Sequence, residues 1–145
     1  MDRSEAFALT APCGIDCFNC ELLETNLTPE MRAQVASRFG LAPETVGCRG
    51  CREEGNCPLY AEPCPTRACV MERELAFCCQ CDDFPCMRLL PSPQALGKLP
   101  HNIKLFNLCR IQAVGLQRWA EEEAKSIRTR YFTGKFKPGH GPLPE

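Results

Sequence analysis

The stretch APCGIDCFNC, residues 11–20, decides how this chain folds, because it places three cysteines within one short turn. Pairs with two intervening residues follow in GCRGC at residues 47–51 and FCCQCDDFPC at 77–86, and CPTRAC at 64–69 adds two more widely spaced cysteines. Two intervening residues let a tight turn direct both sulfurs at one ion, and a tetrahedral zinc site is usually built from two such pairs. We therefore expect a small fold that is stapled by bound metal.

The number of cysteines supports a staple of some kind, since 13 of 145 residues are cysteine. The first residues lack the apolar run of a secretory signal, and no later stretch approaches the ~20 apolar residues of a membrane span. We therefore expect a cytoplasmic protein without a membrane segment, whose thiols stay reduced. An odd number of cysteines also argues against a fully paired set of disulfides. Zinc is the expected staple.

The expected metal ligands are the cysteines on the recurring spacing. Eleven is not a multiple of four, so two sites would use eight of them and a third would need another ligand, such as His101, Asp16 or Cys79. We expect two or three zinc ions and leave the pairing open. Cys79 is not expected to bind metal, and Cys109 is expected to be a small core residue on a helix. The eleven are Cys13, Cys17, Cys20, Cys48, Cys51, Cys57, Cys64, Cys69, Cys78, Cys81 and Cys86.

The expected fold is mostly α and irregular: zinc knuckles with short helices, a C-terminal helical hairpin and little β-structure. Residues 1–12 are expected to form a flexible N-terminal arm, and 129–145 a flexible basic tail. Between them, 13–128 are expected to form a single zinc-binding domain. Its metal lobe spans 13–90 and its helical hairpin 102–128. The apolar residues of the lobe are too scattered to build a core alone, so we expect that it does not fold without metal.

Three helices are expected before the hairpin. The segment 28–39 carries a capping residue at Thr28, Pro29 at the first helical position and Gly40 at the end. Shorter helices are expected near 66–75 and 85–90, between prolines that break regular structure.

The hairpin itself is expected to break at Gly115. Its second helix should bury Trp119 as a core anchor. Its first helix should face inward with Ile103, Phe106, Cys109 or Arg110, and Ala113.

Charge limits the choice of partner. The formal net charge is -1, and two zinc ions held by four thiolates each would lower it further. Arginines near the cysteines are well placed to offset that charge, namely Arg49, Arg52, Arg67 and Arg88. Nucleic-acid binding is expected only through the basic tail. The expected partner is a protein.

Other readings of the cysteines remain open. The Cys13, Cys17, Cys20 spacing also occurs in radical S-adenosylmethionine enzymes, but the chain is too short for their barrel. A different iron–sulfur cluster is an alternative to zinc, since thiolates suit both. The surplus of cysteines also suits a thiol redox or metal-handling protein. The sequence shows no catalytic triad, phosphate-binding loop or carboxylate pair, so it favours a binding module over an enzyme.

These cysteine motifs, together with the helical segment NLCRIQAVGLQRWAEEE at 107–123, resemble a family of small cysteine-rich proteins of bacteria and archaea. That family is catalogued as a domain of unknown function and is regarded as zinc-binding. The resemblance supplies no activity. It implies as ligands the expected cysteines apart from Cys57, which lies in a stretch that varies among the members.

Overall fold

The computed structural model describes residues 1–54, 62–90, 101–135 and 139–141, and these are mostly helical. Within these ranges β-structure is limited to isolated bridges, one between Thr10 and Asp16 and one between Leu23 and Cys48. The expectation of a mostly α protein with little β is therefore confirmed. No helix in the described part of the chain is long and apolar enough to span a membrane.

The helices are short except near the C-terminus. The last two are joined without a break by a π-helical segment, Trp119–Glu123, so that they form one continuous rod. Short 3-10 turns lie at Cys17–Asn19, Pro43–Thr45, Cys78–Gln80 and Met87–Leu89. The helices are α1 (Arg3–Ala8), α2 (Pro29–Phe39), α3 (Cys51–Glu54), α4 (Pro65–Glu72), α5 (His101–Val114), α6 (Leu116–Arg118) and α7 (Ala124–Thr133).

Helix α2 has the predicted ends. The Thr28 hydroxyl accepts a hydrogen bond from the Met31 backbone N–H at 3.2 Å, which satisfies one of the free donors of the first turn. Pro29 occupies the start of the helix, and Gly40 ends it with a left-handed backbone at φ 65°. The capping signals in the sequence were therefore sufficient to place this helix.

The N-terminal residues differ from the expected flexible arm. Arg3–Ala8 form helix α1, and the Asp2 side chain caps it by accepting from the Glu5 N–H at 2.8 Å. Ala6 is fully buried. It packs with Trp119 in one apolar cluster, so the arm is corrected to a helix that covers the C-terminal helices. Asp2 was the signal for this helix, since Asp is a preferred capping residue.

The C-terminal helices form the predicted pair, and Gly115 separates them with φ +84°. Helix α7 runs to Thr133, so the expectation of a flexible tail from residue 129 is corrected for 129–133. Arg110 on α5 forms two charge-assisted hydrogen bonds with Glu123, at 2.7 and 2.6 Å, which join the two helices. The expected tail residues 136–138 and 142–145 lie outside the described residues.

The buried face of α5 is not the predicted one. Phe106 is 54% exposed and Cys109 is also exposed, although both were expected to face inward. Ile103 is buried as predicted, and the other buried positions are Asn107, Leu108 and Ile111. This face is rotated because Asn107 donates its side-chain N–H to the carbonyl of Gly14 at 2.8 Å, inside the first cysteine loop. The hydrogen bond between the buried Asn107 amide and the Gly14 carbonyl stabilises the fold more than burial of another aromatic ring would.

Gly14 allows this close approach. It has φ +86°, and a Cβ atom there would lie 2.8 Å from the Lys104 carbonyl oxygen and 2.9 Å from Cγ of Leu108. A residue with a side chain would therefore push α5 away from the cysteine loop. The cysteine-rich region and the helical pair are thus packed directly against each other at this point.

A second contact joins the first cysteine loop to the end of the helical pair. Arg128 on α7 is only 11% exposed and pairs with the fully buried carboxylate of Asp16 at 3.2 Å. It also reaches Glu21 at 2.5 Å. Next to this pair, the Phe18 ring meets Trp119 edge to face, with 5.8 Å between centroids. Trp119 is fully buried, which confirms its predicted role as a core anchor.

Candidate metal centre

The first cysteine loop is held by its own backbone. The Gly14 N–H donates to the Ala11 carbonyl at 2.8 Å, and the Ala11 N–H donates to the Ile15 carbonyl at 2.9 Å. The Ile15 N–H is directed at the sulfur of Cys13. Cys13 and Cys17 are both buried, at 9% and 8% exposure. The loop therefore places two thiols in the core and supplies a donor to one of them.

Four thiols from three separate segments lie near one another and are called here the inner group: Cys13, Cys17, Cys51 and Cys64. The backbone of Cys51 lies close enough to Cys17 to lower the pKa of its thiol. Cys51 also interacts electrostatically with Cys13 and Cys64, and Cys17 interacts with Cys13. The fold thus brings together cysteines that lie as far apart in the sequence as Cys13 and Cys64.

Burial makes these thiols costly to ionise. It raises the pKa of Cys17 to about 12 and that of Cys51 to about 11, and it also raises the pKa of Cys13. Repulsion between the neighbouring sulfurs adds to this effect. Arg67 and Arg52 act in the opposite direction on the pKa of Cys51. A cation bound among these sulfurs would supply the positive charge that thiolates in this environment lack.

Arg52 has a structural role that the sequence did not indicate. Its guanidinium donates to the backbone carbonyls of Phe7 and Thr10, each at 2.9 Å, and to that of Ala76 at 2.6 Å. It lies over the Phe7 ring at 4.1 Å and the Phe77 ring at 4.8 Å from the centroids. Arg52 therefore ties the end of α1 and the turn before Cys78 to the residue next to Cys51.

A second set of cysteines is called here the outer group: Cys69, Cys78, Cys81 and Cys86. Cys78 interacts electrostatically with Cys86 and Cys69 and also with Cys13 of the inner group. Burial, together with repulsion from these neighbours, raises the pKa of Cys78 to about 12. The two groups are therefore adjacent, and Cys78 lies on the side of the outer group that faces the inner one.

Arg73 connects two members of the outer group. Its guanidinium lies 2.7 Å from the sulfur of Cys81 and 2.7 Å from Asp83, and it interacts electrostatically with Cys69. The contact with Asp83 raises the pKa of Arg73. Asp83, one of two adjacent acids after Cys81, thus pairs with an arginine that also touches a thiol.

The remaining predicted ligands lie at the edge of these groups or outside the described residues. Cys20 interacts electrostatically with Cys17, and the sulfur of Cys48 accepts a hydrogen bond from the Gly50 N–H at 3.2 Å. Cys57 and the side chain of His101 lie outside the described residues.

Asp16 and Cys79, considered as additional ligands, both have other partners. The Asp16 carboxylate is engaged by Arg128 and by the Asn19 amide at 3.0 Å. Burial raises the pKa of Asp16, although Arg128 lowers it. Cys79 is 7% exposed and belongs to the apolar core. Neither residue is a free additional ligand.

Cysteine sulfurs are suitable ligands for a thiophilic metal, but the sulfur atoms of these groups do not converge on a common point. No disulfide joins the described cysteines to one another, and several of them are buried. Over the described ranges, however, no group of three or more Cys, His, Asp or Glu side chains is arranged so that it could hold a metal ion. The cysteines are gathered by the fold, and metal binding would require their side chains to converge.

The chain is thus a small, cysteine-rich, mostly helical protein with no disulfide among its described cysteines. Residues 9–91, more than half of the chain, match the family described as protein of unknown function (DUF3795), and the chain belongs to this family. The match covers all of the predicted cysteine ligands, whereas the helical segment 107–123 lies beyond it. No curated protein and no solved structure gives a significant match to the chain.

Proposed function

We propose that this protein binds two or three zinc ions through cysteine thiolates and that the metal-stapled fold serves as an interaction module for a protein partner in the cytoplasm. The observation that carries the proposal is the gathering of thiols from separate segments into the inner and outer groups, in which Cys13, Cys17 and Cys78 are buried and the others are partly buried. Burying several unpaired thiols beside one another has no structural benefit that smaller apolar residues would not give. A shared metal ion supplies the benefit.

The ligand type favours a structural role for the zinc. Structural sites are closed by four ligands and are commonly all-cysteine, whereas catalytic sites keep an open position and usually include histidine or a carboxylate. The inner and outer groups consist of cysteines only, and Asp16 is already paired with Arg128. Each group contributes four sulfurs, which is the number that one closed tetrahedral site requires.

The charges around the groups also suit a bound metal. Four thiolates on one zinc ion carry a net charge of -2, and nearby cations would reduce the cost of burying it. The positive charges of Arg52 and Arg67 lower the pKa of Cys51 in the inner group, and Arg73 contacts the sulfur of Cys81 in the outer group. These arginines would remain as partners of the thiolates after metal binding.

Elemental analysis of the full chain, purified without a tag and without oxygen, tests the proposal. We expect two or three zinc per chain and no visible colour. Replacement of zinc by cobalt should give the intense blue or green absorption of tetrahedral thiolate sites. Cys51→Ser and Cys78→Ser should each lower the zinc content, whereas Cys109→Ser should not, since Cys109 lies outside both groups. A colourless protein without metal would refute the proposal.

A thiol redox or iron–sulfur protein is the second candidate. It is supported by the contact of the Cys81 sulfur with Arg73 and by the adjacency of the two groups, since thiolates also ligate iron–sulfur clusters. The same preparation distinguishes the two candidates. Iron together with acid-labile sulfide and a brown colour would establish a cluster and exclude the zinc assignment.

A further inference from the structure

Two cysteines outside the inner and outer groups lie on elements that pack against each other. Cys109 is exposed on α5, and Cys79 is buried in the 3-10 turn Cys78–Gln80. Gln112 is three residues after Cys109 and therefore lies on the same side of the helix. Its side-chain N–H donates to the carbonyl oxygen of Cys79 at 2.7 Å. The side of α5 that carries Cys109 is thus packed on the turn that carries Cys79.

The core contacts agree with this placement. Leu108, the neighbour of Cys109 in the sequence, belongs to the same buried cluster as Cys79. The Cys79 and Cys109 thiols are also close enough to interact electrostatically. One thiol of this pair is accessible from solvent and the other is not. That is the arrangement of an exposed reactive cysteine with a second cysteine that can displace what has been added to it.

We propose that Cys79 and Cys109 form a reversible disulfide when the protein meets a small-molecule disulfide such as oxidised glutathione. The sulfur of Cys109 attacks one sulfur of oxidised glutathione, and the first glutathione leaves with the electron pair and takes up a proton. The sulfur of Cys79 then attacks that of Cys109 and displaces the second glutathione. Two protein thiols are oxidised to one disulfide, and one oxidised glutathione is reduced to two molecules of glutathione.

The disulfide would fasten the turn between Cys78 and Cys81 to α5 by a covalent bond. This contact is otherwise made by apolar packing and by the hydrogen bond from Gln112. The pair lies outside the proposed metal ligands, so the inference does not depend on which metal the protein holds.

The test uses the full chain as purified, treated with oxidised glutathione, blocked with an alkylating reagent, and digested with trypsin. Cys109 lies in the short peptide LFNLCR, residues 105–110, and Cys79 lies in the peptide that spans 74–88. We expect a linked pair of these two peptides, with fragmentation assigning the bond to Cys79, and its loss on addition of dithiothreitol. Fragmentation that assigns the bond to another cysteine of 74–88 would overturn the proposal.

Two variants separate the steps. In Cys79→Ala the linked pair should fall at least tenfold and Cys109 should accumulate as a mixed disulfide with glutathione. In Cys109→Ser neither product should form at these positions. If wild-type protein accumulates the mixed disulfide at Cys109 to the same extent as Cys79→Ala, Cys79 does not resolve it and the proposal fails. The fragmentation result on the wild-type protein does not require either variant to fold.

Discussion

The cysteine-rich region and the C-terminal helical pair build their cores from different side chains. In the described core cluster of the cysteine-rich region, four of nine buried residues are cysteines: Cys13, Cys17, Cys78 and Cys79. The cluster of the helical pair is built instead around Trp119, with Ile111 and small alanines. The helical pair is therefore stabilised mainly by the burial of Trp119, whereas the cysteine-rich cluster buries Val70, Phe77 and Leu89 together with four thiols. Under the proposed function, the metal that joins those thiols adds further stability.

The two regions nevertheless contact each other through specific residues rather than through a general apolar surface. Gly14 meets α5, Arg128 meets Asp16, and Phe18 meets Trp119. Each of these contacts involves the first cysteine loop or the turn that follows it. We therefore expect that a structural change in the cysteine-rich region, such as one caused by loss of metal, also changes the packing of the helical pair. The helical pair itself contains none of the proposed metal ligands.

Removal of metal should have the largest effect. Under the proposed function, a strong chelator removes a contribution of ~10–16 kcal/mol per site, which exceeds the stability of an average small domain. We expect loss of helical circular dichroism and, because Trp119 packs on Phe18, a red shift of tryptophan emission. Added zinc should reverse both changes. If chelation removes the metal while Trp119 emission stays unchanged, the two regions fold independently and the contacts described above do not couple them.

Truncation of Trp119 tests how much the apolar core of the helical pair contributes to stability. Trp119→Ala removes a fully buried ring and should lower the free energy of unfolding by ~3–5 kcal/mol. Trp119→Phe should cost less, since the indole N–H has no hydrogen-bond partner within the described structure. Chemical denaturation of metal-loaded protein measures both. Equal losses for the two variants would show that the indole N–H, rather than the apolar volume, stabilises the helical pair.

Arg128 tests the contact between the regions. Arg128→Met leaves the Asp16 carboxylate buried without its cation and should cost ~3 kcal/mol, since an unpaired buried charge is strongly destabilising. Glu21→Gln is the matched control, because Glu21 binds the same arginine but is 61% exposed. It should cost less than ~1 kcal/mol. The denaturation midpoints of the two variants give the comparison, and similar losses would contradict the assignment of Asp16 as the important partner.

Several parts of the fold were predictable because a local signal was enough. Thr28, Pro29 and Gly40 placed α2, and Gly115 placed the break between α5 and α6. The Asp2 cap of α1 was also present in the sequence, but a helix of this length gains most of its stability from packing on the C-terminal helices. Tertiary contacts therefore decided the structure of the first residues.

The sequence could not predict which cysteines lie together, because their grouping also depends on tertiary contacts. Spacing identifies the turns but does not say which turns meet, and Cys64 comes next to Cys13 only through the folded chain. The buried face of α5 was missed because Asn107 is polar and its partner, Gly14, is far away in the sequence. The pairing of Arg128 with Asp16 is likewise a long-range contact that no local pattern indicates.

The smallest expected effect is a difference between two glycines. Gly14 and Gly115 both have a positive φ, at +86° and +84°, so replacement by alanine strains the backbone at both positions. At Gly115 no atom lies within 4 Å of the added methyl group, whereas at Gly14 the methyl group would meet the Lys104 carbonyl oxygen at 2.8 Å. Gly14→Ala should therefore be less stable than Gly115→Ala by ~1–3 kcal/mol in denaturant titrations, because it also disturbs the packing of α5 on the cysteine loop. Equal stability of the two variants would mean that α5 can move away from this loop without cost, and the direct packing of the two regions would then carry no stability.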